Sequence, residues 1–547
     1  METYLHHPTL FLSSSYHLDV PFEDILSVSP LAPFLADSRA TNVGPEAIAD
    51  ALNGSGIEAF WSGTSFLLTA TVFQPSFASL SDAFGRRPML LIALSFFTVG
   101  AIIGATANDF AALLVGRSIQ GIGGGGIQAL TSVIITDMVP LRQRGKYIGL
   151  ITLNWAAGSV SGPIIGGVLS EKVSWRWIFW LNIPFCAVAY VMIPIFLNLK
   201  DKPGNFVDKL RQIDWVGSVL FVASTTSFLI PITWGGIMYP WNHWRTLTPL
   251  IAGALGMLLF GLWSKFLARN LILRGSLFRD RTSLSNYLSI VVHGMFQWSV
   301  LYYMPLYFEA AKNLTAVQSG VALFPWTGTI CPTAVVVGVL IARTGSYRWA
   351  IHSGWAMTAT GVGLMILYRA DTPDRVWIPL ALVSGMGLGV LYPSLSLCNQ
   401  AAASDADMAA AAALNPFFRN YGQMLGVAVG GSVVQNVVRQ KLEQSTNAAL
   451  VARASELSKN ASALIETIKA MRGSADAAKE ALRVELIDAY CDSLRTLWIV
   501  MCALACVALV SAVAFTKAYS LERAHETDQG FVTEEKEDCE IAMRDSR

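Results

Sequence analysis

Charge is what this sequence has least of. Of its 547 residues only 14% are Asp, Glu, Lys or Arg, where about 25% covers the surface of a soluble protein. A set of cytosolic domains and a disordered scaffold are thereby excluded. The charges nearly cancel, 39 basic against 38 acidic, so no field steers a polyanion and no nucleic-acid partner is expected. Cysteine is also scarce. Seven in so long a chain make no disulfide framework. Cys186, Cys331, Cys398, Cys502 and Cys506 lie in apolar stretches, and only Cys491 and Cys539 stand in polar segments. Catalytic signatures are missing as well. No P-loop occurs, which argues against an ATP-driven pump. Metal-spaced His/Cys clusters and a nucleophile elbow are absent, so neither an enzyme nor a cofactor is expected. Gly123 to Gly126 match a phosphate loop in composition only, because they lie in an apolar helix without the required Lys. The start of the chain lacks a basic n-region and a clean apolar core, so no cleavable signal peptide is evident.

Apolar length is what the sequence has in excess. Hydrophobic residues make up 53% and mean hydropathy is +0.47. A helix crossing a hydrocarbon core of about 30 Å needs about 20 mostly apolar residues. That template predicts thirteen spans, near 57–80, 89–107, 110–138, 148–170, 178–199, 215–235, 247–267, 286–308, 318–342, 349–368, 377–400, 409–436 and 494–516. The longest connection, 438–493, carries Glu443, Glu456, Lys459, Glu466 and Lys469 among many alanines, and reads as one or two amphipathic helices.

Basic residues set the orientation. Alternate loops hold Arg86 and Arg87, then Arg142, Arg144 and Lys146, then Lys200 to Arg211, Lys265 to Arg281, and Arg343 with Arg348. The opposite loops hold little beyond Lys172, Arg176, Arg245, Lys312 and Arg375, so the first set is cytoplasmic. The three N-x-S/T sequons, at Asn53, Asn313 and Asn460, all fall on the outer side, where glycosylation takes place.

Four stretches carry more than hydrophobicity. In the loop Ala78 to Arg87, Asp82 can pair with Arg86 or cap the next helix, and Gly85 allows a tight turn. Leu340 and Gly345 repeat the offsets of Leu80 and Gly85 after 260 residues, as expected of a transporter built from two parallel half-bundles. The second stretch places Arg117, Gln120 and Gly121 inside a span. An arginine there costs several kcal/mol unless paired or hydrated, which makes it functional by default. In the third, Gly158, Gly162 and Gly166 form a small-residue stripe broken by Pro163, a pliable point beside Gly167. The fourth is a scatter of polar groups: His293, Gln297 and Trp298, then Asn399 and Gln400, candidates for lining a substrate cavity. His293 and Gln297, four apart, share a helix face and could bind substrate or relay a proton, although a histidine donating to a carbonyl would look the same. Arg419, with Asn420 and Gln423, reads as a side chain near the cytoplasmic end that snorkels to the interface.

Over roughly 45–520 these residues resemble the major facilitator superfamily, and within it the fourteen-span drug:proton antiporter branch common in fungi. Leu80 to Arg87 resembles the superfamily's loop signature. Arg117, Gln120 and Gly121 resemble the R-x-x-q-G element, which the family associates with proton coupling. Gly158 to Gly167 resembles the antiporter motif of exporters, and Trp175 to Phe179 and Asp214 to Gly217 look like further marks of the branch. The resemblance implies an all-α polytopic membrane protein, with two six-helix bundles joined by two linking spans. By the same resemblance it would work by alternating access, as a monomer in the lipid bilayer of the plasma membrane or the vacuole. Its partners are protons and a small lipophilic organic substrate, a toxin, metabolite or drug, exported by proton antiport. Asp82 and Arg86 would latch the cytoplasmic side.

The divisions expected are an atypical segment 1–56, an N-terminal bundle 57–200, linking spans 201–284, a C-terminal bundle 285–516 and a cytoplasmic tail 517–547. The sequence departs from the family at Ala78, where the signature has glycine, at Ala83, where it has a basic residue, and more seriously at the first span. Asp37 and Asp50, among breaks such as Pro45, read as a degraded or absent first span. An importer of a nutrient or iron chelate remains an alternative, as does a membrane protein that binds without transporting.

Overall fold

In the computed structural model the described residues are 48, 51–52 and 54–523, less 55, 153–157, 159–164, 167–168, 170–171, 198, 200–203, 237, 269–270, 446, 459–460 and 473–476. The expectations for the first span, the 524–547 part of the tail, Asn53, Asn460, Gly162, Pro163 and Gly167 lie outside them.

The apolar runs fold into helices because hydrocarbon offers no partner for an exposed peptide group, and a helix satisfies its own. In chain order these are α1 (Gly56–Phe84), α2 (Arg86–Thr106), α3 (Phe110–Met138), α4 (Trp177–Trp180), α5 (Asn182–Phe196) and α6 (Phe206–Arg211). Next come α7 (Trp215–Trp234), α8 (Trp244–Phe266), α9 (Arg281–Ala311), α10 (Ala316–Ala322), α11 (Phe324–Thr344) and α12 (Arg348–Met365). The chain continues with α13 (Asp374–Ala402), α14 (Met408–Glu443), α15 (Ala448–Leu457), α16 (Ala461–Ala470) and α17 (Ala477–Phe515). No strand occurs among the described residues beyond one bridge, Gly235 to Tyr239. Local signals fix several starts. Asp109 accepts from the Ala112 amide at 2.7 Å, Asp214 from Gly217 at 2.8 Å, and Thr315 closes a capping box with Gln318.

Among the described residues, seven helical stretches are long and apolar enough to cross a membrane: α2, the α4–α5 run, α7, α8, α11, α13 and α17. The long helices α1, α3, α9, α12 and α14 fall short of that composition because they carry polar residues. In α1, α3, α9 and α14 these include buried Gln74, Arg117, Gln120, His293, Gln297, Arg419 and Gln423. The fourth expected span, 148–170, is described as helix only over 144–152 and at scattered positions beyond.

The helices α1, α2, α3 and α5 form one bundle around Phe66, Phe77, Leu94, Phe97 and Ile134. Helices α9, α11, α12, α13, α14 and α17 form the other. Glycines set the first bundle's spacing: a Cβ on Gly121 would lie 2.0 Å from Thr69 Oγ1, and one on Gly123 2.3 Å from the Phe97 nitrogen. The α7–α8 pair lies against both halves. Leu229 of α7 packs on Leu68 and Val72 of α1, and Phe221 meets Phe417 of α14 at 5.6 Å. The far face of α8, with Leu255, Leu258, Leu259 and Leu262, is exposed and apolar, as lipid contact requires.

The repeated loop places a glycine at positive φ in both halves, though with different ψ: Gly85 (φ 99°, ψ 157°) precedes α2, and Gly345 (φ 65°, ψ 14°) caps the end of α11. The outer connection 438–493 is shorter than it reads in sequence, because α14 runs on to Glu443 and α17 begins at Ala477, leaving α15 and α16 between them. Cys491, placed by sequence in a polar segment, is buried within α17.

Candidate functional site

At the cytoplasmic turn between α1 and α2, Arg86 donates from Nε to Asp137 Oδ2 (2.9 Å) and from Nη1 to Asp82 Oδ1 (2.5 Å) and Ser81 Oγ (2.7 Å). Asp137, unnoticed in the sequence, is the buried partner, while the Asp82 side chain is 43% exposed. An acid in the last turn of α3, a helix with no other acidic residue, is the available signal. All four residues belong to one half, so this cluster ties α1, α2 and α3 together rather than bridging the halves.

The bridge lies next to it. Arg144 donates to the Val139 and Thr136 carbonyls of its own half (2.7 and 2.8 Å) and to Gln400 Oε1 of α13 (3.0 Å), with Met408 Sδ at 2.7 Å. Burial, opposed by the charge of Asp137, lowers the Arg144 pKa to about 10, so the strut stays charged at neutral pH. Arg142 donates to the carbonyls of Ala342 (2.8 Å) and Arg343 (3.1 Å) at the end of α11. Between these contacts the backbones nearly touch. A Cβ on Gly338 would lie 2.1 Å from the Gly145 oxygen. The two halves are therefore closed together at the side where cytoplasm is expected.

Two of the expected cavity residues lie at this contact. Gln400 holds Arg144, and Asn399 donates to Asn415 Oδ1 (2.9 Å), so both sit in the buried cytoplasmic closure at the end of α13. A small crevice lined by Asp82, Ser79, Arg274 and Ala410 lies beside it. Its rim is held by Asp407, which accepts from Arg274 (2.7 Å), Ser276 (2.6 Å) and Ser404 (2.9 Å). Burial raises the Asp407 pKa, but these hydrogen bonds outweigh it and hold the carboxyl below its usual range.

Arg117 is fully buried in α3. Its Nε donates to the Ser62 carbonyl of α1 (2.9 Å), its Nη1 to Gln120 Oε1 (2.7 Å), and its guanidinium lies 4.5 Å from the Phe66 ring centroid. Gly121 makes room for α1 beside it. Of the antiporter stripe, Gly158 and Gly166 are described, both helical and buried.

In the C-terminal half, α9 and α14 approach until a Cβ on Gly294 would lie 2.1 Å from the Arg419 oxygen. At that level His293 Nε2 lies 3.2 Å from the Leu388 carbonyl, and the ring faces Tyr392 of α13 edge-on at 5.9 Å. Gln297 accepts from Gln423 at 3.4 Å, and Trp298 is half-buried. Arg419 does not snorkel: it is buried, with Cζ 3.6 Å from the Tyr392 ring centroid. One residue on, Asn420 donates to Gln128 Oε1 of α3 (2.7 Å), which also accepts from Gln74 of α1 (2.6 Å). The halves thus meet mid-molecule through a line of amides. Asn313, on the outer side, is half-buried with φ 55° and accepts from Arg483 at 3.3 Å.

Among known proteins, the chain matches the model of the Major Facilitator Superfamily over residues 30–427. It is 48% identical to MFS transporter L2 of a Phoma species, over 91% of this chain and 82% of that protein. It is 34% identical to MFS-type efflux pump LUC4 of a Fusarium species, over 87% and 84%. Its structure is similar to that of the proton:xylose symporter XylE bound to 6-bromo-6-deoxy-D-glucose. The TM-score is 0.53 over 92% of this chain and 98% of that one, and at 14% identity the likeness is one of fold.

Proposed function

Because this chain belongs to the major facilitator superfamily, we propose that it exports small lipophilic organic molecules from the cytoplasm in exchange for protons. It is a multi-pass membrane transporter, not an enzyme. The observation that carries the reading is the cytoplasmic closure through Arg144, Gln400, Gly145 and Gly338, one end state of an alternating-access cycle. A relative named as an efflux pump supports the outward direction.

In the cycle, the polar level of Gln74, Gln128 and Asn420 lines the path of the substrate between the halves. Substrate binds from the cytoplasm with the strut open, and closure of the Gly145–Gly338 contact commits it outward. Protons arriving from outside act on the hydrogen-bonded network of Arg117, Ser62 and Gln120 and favour release. The Asp82–Arg86–Asp137 cluster keeps α1, α2 and α3 moving as one body. The α7–α8 pair serves as the two linking spans of the fourteen-span branch, and the protein works as a monomer in the plasma membrane.

Flux of lipophilic fluorescent compounds into inside-out vesicles under an imposed pH gradient tests the proposal. Uptake driven by an acidic lumen and abolished by a protonophore is expected. Stimulation only by the reverse gradient would make the protein an importer.

A further inference from the structure

The polar level between the halves contains one group whose donors are not used. Arg419 is 6% exposed, and neither its Nε nor its Nη2 has a hydrogen-bond partner. Among the described residues no carboxylate pairs with it. It lies eleven residues along α14 from Met408, about 16 Å up the helix axis, which is about halfway across a hydrocarbon core of ~30 Å. A buried cation left unpaired is expensive, and within a membrane span such a residue faces a bundle interior or a substrate path.

The surroundings define what would pair with it. Tyr392 covers one face of the guanidinium at 3.6 Å, which leaves the in-plane N–H groups free. That fork matches the two oxygens of a carboxylate. The half-buried Tyr392 ring also lies 5.9 Å from His293, whose Nδ1 is buried without a partner. Leu388 offers His293 only a carbonyl, so Nε2 carries the proton and the neutral ring leaves Nδ1 as an open acceptor. One fixed fork of donors and one acceptor, flanked by an aromatic ring, stand beside the Asn420–Gln128 contact between the halves.

We propose that Arg419 is the anchor for an anionic group, a carboxylate or an equally planar enolate, on the transported molecule. Tyr392 holds the fork in place, and His293 Nδ1 accepts from a neighbouring hydroxyl of the ligand. The proposal rests on the transport reading for its setting but not on the direction or the driving ion. It narrows the substrate class from lipophilic molecules in general to lipophilic acids.

The test is equilibrium binding of 1-pyrenebutyrate and of its uncharged amide to the purified full-length protein in detergent. The wild type is expected to prefer the carboxylate. Arg419→Gln should weaken the carboxylate by about tenfold to a hundredfold and change the amide by less than about twofold, as loss of a charge-assisted fork predicts. Arg419→Lys, a point charge without the fork, should fall between. Because the substitution removes an unpaired buried cation, the thermal midpoint of Arg419→Gln should be no lower than that of the wild type. Equal affinity of the wild type for both probes, binding of neither, or equal loss of both in Arg419→Gln would overturn the proposal. Flux of the same probes is read separately in inside-out vesicles. Arg419-dependent binding without gradient-driven flux would sink the export reading and leave this site standing. Gradient-driven flux indifferent to Arg419 would do the reverse.

Discussion

Each half of the molecule buries an arginine in the interior of a long helix, and Arg117 and Arg419 are treated in opposite ways. Arg117 of α3 has the Ser62 carbonyl, the Gln120 amide oxygen and the Phe66 face around it. Arg419 of α14 has a ring on one face and no partner for Nε or Nη2. Both lie where water is scarce and an isolated charge is costly. The difference teaches that the same residue type serves two purposes. A satisfied cation holds helices in register and responds as part of a network, whereas an unsatisfied one is held ready for something that arrives.

The largest effect is expected at Arg117. Arg117→Ala leaves the Ser62 carbonyl and Gln120 without their donor, and should abolish proton-driven flux while the protein still reaches the membrane, read by vesicle flux and surface labelling. Its stability should fall by about 1–3 kcal/mol, the usual consequence of orphaning buried hydrogen-bonding groups. Arg419→Gln should not lower stability at all. A thermal-melt comparison that found both variants equally destabilised would erase the distinction between the two arginines.

The closure beneath them comes next. Gly338→Val puts a side chain where the Gly145 oxygen already lies 2.1 Å from a Cβ, so the cytoplasmic side should fail to shut. We expect flux to fall to about a tenth, the equivalent of roughly 1.4 kcal/mol, and labelling of a Ser79→Cys sensor from the cytoplasmic side to rise. Arg144→Ala should raise the same labelling by less, about fivefold, since the strut is worth about one net hydrogen bond. Unchanged labelling in both variants would mean that the contact is not a gate. It would also leave Arg419 open to the same side at all times.

The smallest effect belongs to Asp407, outside the spans. Its carboxyl titrates below its unfolded value in the fold, despite burial, because Ser276, Arg274 and Ser404 bond to the charged form. Its contribution is therefore complete above the unfolded pKa, about 3.9, and is lost as the pH falls through the lower folded value. The gap in thermal midpoint between wild type and Asp407→Asn should stay flat from pH 7 to pH 5 and close below about pH 4. A gap that instead closed between pH 7 and pH 5 would put the titrating group elsewhere.

Much of the site could be read from the sequence, and the limits have physical causes. Arg117 stood out because hydrocarbon tolerates few charges, so one within an apolar run is a signal in itself. Gly85 and Gly345 were legible as a repeat because a turn with positive φ demands glycine at a fixed offset. A polar pair in a span, such as Asn399 and Gln400, announces a buried polar contact but not its partner: Gln400 meets Arg144, 256 residues away, and Asn399 meets Asn415. Asp137 escaped notice because a single acid at a helix end has many ordinary roles. Arg419 was assigned to the interface because its reach there was plausible, and nothing local shows that Tyr392 stacks on it.

What the sequence by itself determined is the class of object. Too little charge for a water-facing surface and apolar runs of bilayer length specify a membrane bundle, because each acts residue by residue along the chain. Which polar groups meet was decided only by tertiary structure. Helices distant in sequence pack against one another, and that packing satisfies Arg117, locks Arg144 to the opposite half and leaves the donors of Arg419 free. Hydrogen bonding depends on a few ångströms in space, a distance that spacing along the chain does not encode.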